Sequence, residues 1–193
     1  MQVPSFVTHY HLPGRAPFLN LSDLASTEQD IVMRELNALR AAGCTLRSFG
    51  RAYAAWRERT EASLRTAFEA AGGRPTRSAP HYFVLGTSPW FNSLAQDMRE
   101  VVLPLACLPT DATSFTLVDS FTAMGHGPAF GFAGPVHPHE GTLHPIGELW
   151  SVLARHPRIS EDIPATVDVA ADRVSQYVEV QLWDDRPVRD WLR

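Results

Sequence analysis

The sequence predicts an α+β fold in a single domain spanning residues 1–193. Up to Gly73, two stretches place apolar residues every three or four positions, the repeat of an amphipathic helix. After Pro80, short β-like runs alternate with Pro, Gly, Ser and Asp. A length of 193 residues is enough for one full core and short for two. The composition, 45% hydrophobic and 20% charged, belongs to a folded globular chain rather than a disordered one.

Phe6 to Tyr10 reads as a first strand, and His11 to Asn20, with Pro13, Gly14 and Pro17, as a loop. Thr27 to Ala42 predicts a helix with Val32, Leu36 and Leu39 on its buried side. Ser26 or Thr27 can cap it and Gly43 can end it. Arg47 to Ala71 is the strongest helical pattern. Phe49, Tyr53, Trp56, Thr60, Leu64 and Phe68 form its inner stripe, Arg51, Arg57, Arg59 and Arg65 lie largely elsewhere, and Gly72-Gly73 stops it. His81 to Leu85, Val101 to Leu105 and Ser114 to Val118 follow as strands. Gly125 to Gly141 reads as a loop, and a short strand near Leu143 leads into a helix from Ile146 to Arg155.

The last strand, Tyr177 to Trp183, is the most informative. Side chains alternate between strand faces. Val178, Val180 and Leu182 therefore point into an apolar layer, and Tyr177, Glu179, Gln181 and Trp183 point together the other way. A carboxylate beside an amide and two amphipathic aromatics is either solvated or the acid of a site for a sugar or nucleotide.

Composition removes several chemistries. All 17 basic residues are arginine, so no lysine Schiff base or P-loop lysine is available. Net charge is −4. It divides into 10 Arg against 7 acids in residues 1–77 and 7 Arg against 14 acids in residues 78–193, too little positive charge for a dedicated nucleic-acid binder. No apolar run reaches the roughly 18–20 residues of a membrane span. Met1 to Tyr10 lacks the features of a signal peptide. These readings predict a soluble cytoplasmic protein. Cys44 and Cys107 read as two buried or semi-buried thiols.

His137, His139, Glu140 and His144 could offer metal ligands, but Pro138 and Gly141 break any helical ligand pattern, so no metal site is assigned. Ser88 and Ser120 lack the Gly-x-Ser-x-Gly setting of an exposed nucleophile. No Gly-x-Gly-x-x-Gly joins a strand to a helix.

Four segments, in order along the chain, remain. They are Thr8-His9, Pro80-His81-Tyr82-Phe83 followed by Ser88-Pro89-Trp90, Phe115-Thr116 with Asp119, and Gln176-Tyr177-Val178-Glu179. Together they resemble the DarT-type ADP-ribosyltransferases, which modify DNA using NAD. Spacings differ by a residue in places, and the Gly-His that follows the family's Asp is here Ser120-Phe121. The resemblance implies an ADP-ribosyltransferase-like split sheet with NAD as substrate. It places Glu179 as the catalytic acid and Thr8, His9, Arg51, Tyr82 and Ser88 around the cofactor. Tyr82 would pack on the nicotinamide. The resemblance also implies one arginine at the diphosphate upstream of the Tyr82-Phe83 strand without choosing it; Arg51 is the first candidate, with Arg47 and Arg77 as alternatives.

The residue chemistry fits independently. Cleaving the nicotinamide–ribose bond develops an oxocarbenium-like charge that a carboxylate stabilises. The acceptor could be a nucleobase or other nucleic-acid group, a protein side chain or a small molecule. Water as acceptor would make the chain an NAD glycohydrolase. Two alternatives stand beside this: a non-catalytic nucleotide- or partner-binding module, and a metal hydrolase built on His137, His139 and His144.

Overall fold

The structure is a computed structural model that describes residues 3–46, 52–127, 139–156 and 177–192. Its centre is one six-stranded sheet. The strands are β1 (Phe6–His11), β2 (His81–Leu85), β3 (Arg99–Pro104), β4 (Thr113–Thr116), β5 (His144–Pro145) and β6 (Glu179–Leu182). Their spatial order is β3-β1-β2-β6-β4-β5, and every pairing is antiparallel. Helices α1 (Ser26–Ala41), α2 (Tyr53–Ala70), α3 (Pro89–Ser93), α4 (Ser120–Ala123) and α5 (Leu149–Arg155) complete the α+β architecture. The described strands form one continuous sheet rather than two halves. Because β2 pairs with β1 on one side and β6 on the other, no gap divides them.

Register assigns the two faces. Thr8 pairs with Val84, Val84 with Glu179, and Glu179 with Thr116; one row on, Tyr82 pairs with Gln181 and Gln181 with Ser114. Partners share a face, so these residues form one side of the sheet. The opposite side carries Val7, Phe83, Leu85, Val180, Leu182 and Phe115. These pack with Leu149, Val152 and Leu153 of α5 into the main core. The alternation read from Val178, Val180 and Leu182 is therefore the one that forms.

Helix α2 covers the other face. Leu64 and Phe68 pack on Trp183, with Tyr82, Met124 and Leu143 alongside. Residues Arg47 to Arg51, the first turns of the helix read from sequence, lie outside the described residues. The helix ends at the two glycines. Gly72 takes φ +88°, and the Gly73 N–H donates to the Phe68 carbonyl at 2.9 Å. Helix α1 stops in the same way at Gly43, φ +75°. Its N-cap position is Ala25 rather than Ser26 or Thr27, and the Glu28 carboxylate accepts the Ala25 N–H at 3.0 Å. Leu36, with Val32, Met33 and Leu39, packs against Leu12 and Ala95.

Both cysteines are free, and both are exposed rather than buried. No described helix is long and apolar enough to cross a membrane.

Candidate active site around Glu179

Glu179 is not a solvated strand residue: it is 6% exposed beneath α2. Its Oε1 accepts the Gln181 amide N–H at 3.2 Å, and the Tyr177 hydroxyl approaches Oε2 at 3.4 Å. Gln181 is fixed in turn. It also donates to Thr116 Oγ1 at 3.0 Å, and its Oε1 accepts from Ser114 Oγ at 2.9 Å. That hydroxyl accepts the Trp183 indole N–H at 2.9 Å. Two residues of β6, Trp183 just after it and two residues of β4 thus form one hydrogen-bonded chain ending at the carboxyl.

The charges around it come from α2 and α4. Arg57 Nε donates to Glu61 Oε1 at 2.9 Å, and the Arg57 guanidinium lies 3.8 Å from the Tyr82 ring centroid. The Tyr82 hydroxyl donates to the same Glu61 oxygen at 3.2 Å. Asp119 caps α4, accepting from the Thr122 N–H at 3.0 Å and from its hydroxyl at 2.6 Å. Ser120 Oγ is fully buried with no well-formed hydrogen bond, yet it sits near enough to help hold the Glu179 charge.

Burial is the largest influence on Glu179 and raises its pKa to about 7; Asp119 adds to this, while Arg57, Gln181 and Ser120 oppose it. The carboxyl therefore holds its proton to much higher pH than an exposed glutamate does. Burial likewise pushes the Tyr82 phenol well above its ordinary value of 10, against the pull of Arg57. Burial disfavours the Arg57 charge as well, but Tyr82, Tyr53, Glu61 and Glu179 outweigh it and keep the guanidinium protonated.

Of the residues singled out in the sequence, the structure brings Glu179 and Tyr82 together on one face. Thr8 shares that face, but its hydroxyl donates to the Gly86 carbonyl at 2.6 Å and ties β1 to the turn after β2. Ser88 is 3% exposed and caps α3. Its Oγ accepts from the Phe91 N–H at 3.3 Å, and its own N–H donates to the Tyr10 hydroxyl at 2.7 Å.

His9 turns to the opposite face, against Phe18 and Phe83. Its Nδ1–H donates to the Tyr82 carbonyl at 2.9 Å, and its Nε2 accepts the Phe18 N–H at 3.1 Å. The sheet therefore separates the His9 ring from Glu179, which sets it apart from the position around the cofactor that the resemblance implies.

Arg51 and Arg47 lie outside the described residues. Arg77 is committed elsewhere, to Asp23, Asp185 and the Ala79 carbonyl. The arginine that does face Glu179 is Arg57, which the sequence reading placed largely off the buried stripe. Its signal was present: Arg57 follows Tyr53 by four positions and precedes Glu61 by four, and Leu64 lies three further on. An ion pair one helical turn long can share a buried stripe because each charge neutralises the other.

Among the described residues no group of three or more His, Cys, Asp or Glu is placed to hold a metal. His137 lies outside them, His139 packs edge-on to His156 at 4.7 Å, and His144 faces Glu148 at 3.7 Å. A depression of about 450 Å³ on the solvent side of α2 is lined by Ala62, Ser63, Thr66, Ala67 and Ala70; it bears no ionisable group and faces away from the sheet. No known family, curated protein or solved structure matches this chain.

Proposed function

We propose that this protein cleaves NAD at the nicotinamide–ribose bond and transfers ADP-ribose to an acceptor, with Glu179 as the catalytic carboxylate. One observation carries the reading. Glu179 is a buried carboxyl held by Gln181 and Tyr177, and among the described residues it forms no ion pair, because Arg57, the cation that acts on it, is paired with Glu61. A carboxylate in that state is matched to a cation that forms only during reaction.

In the proposed step the C1′–N bond breaks and its electron pair goes to the pyridinium nitrogen. Neutral nicotinamide leaves, Glu179 stabilises the oxocarbenium-like ribose, and the acceptor bonds to C1′ and loses a proton. No strong general acid is needed for the leaving group. The acceptor is a nucleobase, a protein side chain, a small molecule or, in a glycohydrolase, water.

The test is nicotinamide release from NAD by wild type and Glu179→Gln. A fall of about 10²–10³ is expected on the scale of losing one electrostatic catalytic group. No release with nucleic-acid, protein or small-molecule acceptors would sink the reading.

The enclosure of the site, with Glu61 3% and Glu179 6% exposed, favours a second reading, a non-catalytic nucleotide-binding module. NAD would then raise the melting temperature without being consumed.

A further inference from the structure

Ser120 carries a hydroxyl for which the fold supplies no partner. The residue is fully buried, and among the described residues its Oγ makes no well-formed hydrogen bond. Buried hydroxyls are nearly always bonded. A short path of chain brings this one to Glu179. Thr116, the last residue of β4, pairs with Glu179 across the sheet. Its hydroxyl donates to the Val118 carbonyl at 2.7 Å, and Asp119 then caps α4 by accepting the Thr122 N–H at 3.0 Å. Ser120 is the first residue of α4, and the next, Phe121, meets Tyr53 and Arg57 of α2. Ser120 is thereby enclosed near the Glu179 carboxyl, close enough to act on its charge. The carboxyl in turn is short of donors. Its hydrogen bonds from Gln181 at 3.2 Å and Tyr177 at 3.4 Å are long for an ionised acceptor. A carboxylate accepts at about four positions, whereas a protonated carboxyl needs fewer donors.

We propose that Ser120 is a positioning residue for Glu179: its hydroxyl turns onto the carboxylate when the proton leaves and holds the charged group in place to face the ribose. Facing the ribose rests on the NAD-cleaving reading; the turn of the hydroxyl does not. A hydroxyl hydrogen rotates to suit its acceptor, so the change needs no movement of the backbone. The other charged and titratable groups around the carboxyl are engaged or of the wrong kind. Arg57 is held by Glu61 and the Tyr82 ring, and Tyr53 also acts on it. The Tyr82 hydroxyl donates to Glu61. Asp119 is an acid that opposes the Glu179 charge, and Tyr177 already donates to it. Ser120 is the donor held in reserve.

The test is a carboxyl NMR titration of Glu179 in wild type and Ser120→Ala, beside the pH profile of nicotinamide release. At about pH 6 the alanine variant should hold about tenfold less ionised Glu179, the scale of one lost hydrogen bond to a charged group. Its kcat/KM should fall by about the same factor there, and the gap should narrow by about pH 9. Its stability at about pH 4 should match or exceed wild type, since the protonated carboxyl leaves the hydroxyl unused. Ser120→Thr keeps the hydroxyl and should restore titration and profile. Ser120→Cys, a weaker donor, serves if the threonine methyl does not fit, and should restore them in part. An unchanged Glu179 titration in Ser120→Ala overturns the proposal. So does a folded Ser120→Thr variant that titrates like alanine, or an activity loss equal at every pH. No nicotinamide release from wild type overturns the NAD reading alone, because the titration needs no substrate and still decides the part of the hydroxyl.

Discussion

The Arg57 guanidinium lies over the Tyr82 ring at 3.8 Å while its Nε donates to Glu61, so one cation is held both by a contact from α2 to the sheet and by an ion pair within α2. Breaking a buried pair from one side leaves an uncompensated charge, at a cost of about 3–5 kcal/mol. Arg57→Leu should therefore destabilise the protein by about that amount in urea titration, because Glu61 is 3% exposed and cannot reach water. Arg57→Leu with Glu61→Leu should recover more than half of the loss, since both charges are then gone. A double variant as unstable as the sum of the singles would show that the two side chains are not coupled.

Glu179 makes stability depend on pH in an unusual direction for an acid. Its pKa in the folded protein is about 7, against an ordinary 4.5, so the folded state holds the proton more tightly than the unfolded chain. The linked stabilisation is complete below about pH 4.5 and is lost as pH rises through 7. Glu179→Gln removes this dependence. The variant's stability relative to wild type should grow by on the order of 3 kcal/mol between pH 4.5 and 8.5, read from denaturation curves at each pH. If the ionised form supports NAD cleavage, wild-type kcat/KM rises over the same interval. Activity and stability then move in opposite directions through pH 7.

Within single segments the sequence was a good guide. The parity of Val178, Val180 and Leu182 against Glu179 and Gln181, and the glycine stops at Gly43 and Gly72, are local facts of strand and helix geometry. What required the structure was the relation between segments. Whether His9 and Glu179 face the same way depends on the register of β1 on β2 and of β2 on β6, and a shift of one residue in either would reverse it. Arg57 was obscured for another reason: a charge in a helix reads as solvent-facing until a partner one turn away and a covering sheet are both known. The order of the four motif segments therefore did not reveal that Thr8 and Ser88 anchor a turn while Trp90 lies beside Tyr177.

His9 holds a backbone under strain. Phe18 takes φ +61°, a left-handed conformation that a bulky side chain rarely adopts, while its ring is 3% exposed against His9, His81 and Phe83. The His9 Nε2 bond to the Phe18 N–H helps fix that turn. His9→Ala should cost about 2–4 kcal/mol, combining lost core contacts with a released strained turn. NAD affinity of the folded fraction should remain within about twofold of wild type, because the ring lies across the sheet from Glu179. A large affinity loss at unchanged stability would return His9 to the cofactor site.

The two glycines after α2 offer a paired test of what ends the helix over the site. Gly72 has φ +88° and open space where a side chain would begin, so Gly72→Ala meets only the backbone penalty of the left-handed region, about 1 kcal/mol. Gly73 has no such φ, but an added methyl would stand 2.4 Å from a carbon of the Phe68 ring. Phe68 is fully buried and stacks on Trp183 at 6.1 Å, so it has little room to retreat. Gly73→Ala should therefore cost more, about 1–3 kcal/mol from overpacking. Because Trp183 donates to the Ser114–Gln181 chain that reaches Glu179, it should also disturb the site. Equilibrium denaturation of the two variants gives the order of cost. The apparent pKa of Glu179, from carboxyl NMR titration, should move in Gly73→Ala and stay fixed in Gly72→Ala. Movement in both would mean that the helix end, rather than the Phe68–Trp183 contact, sets the environment of the carboxyl.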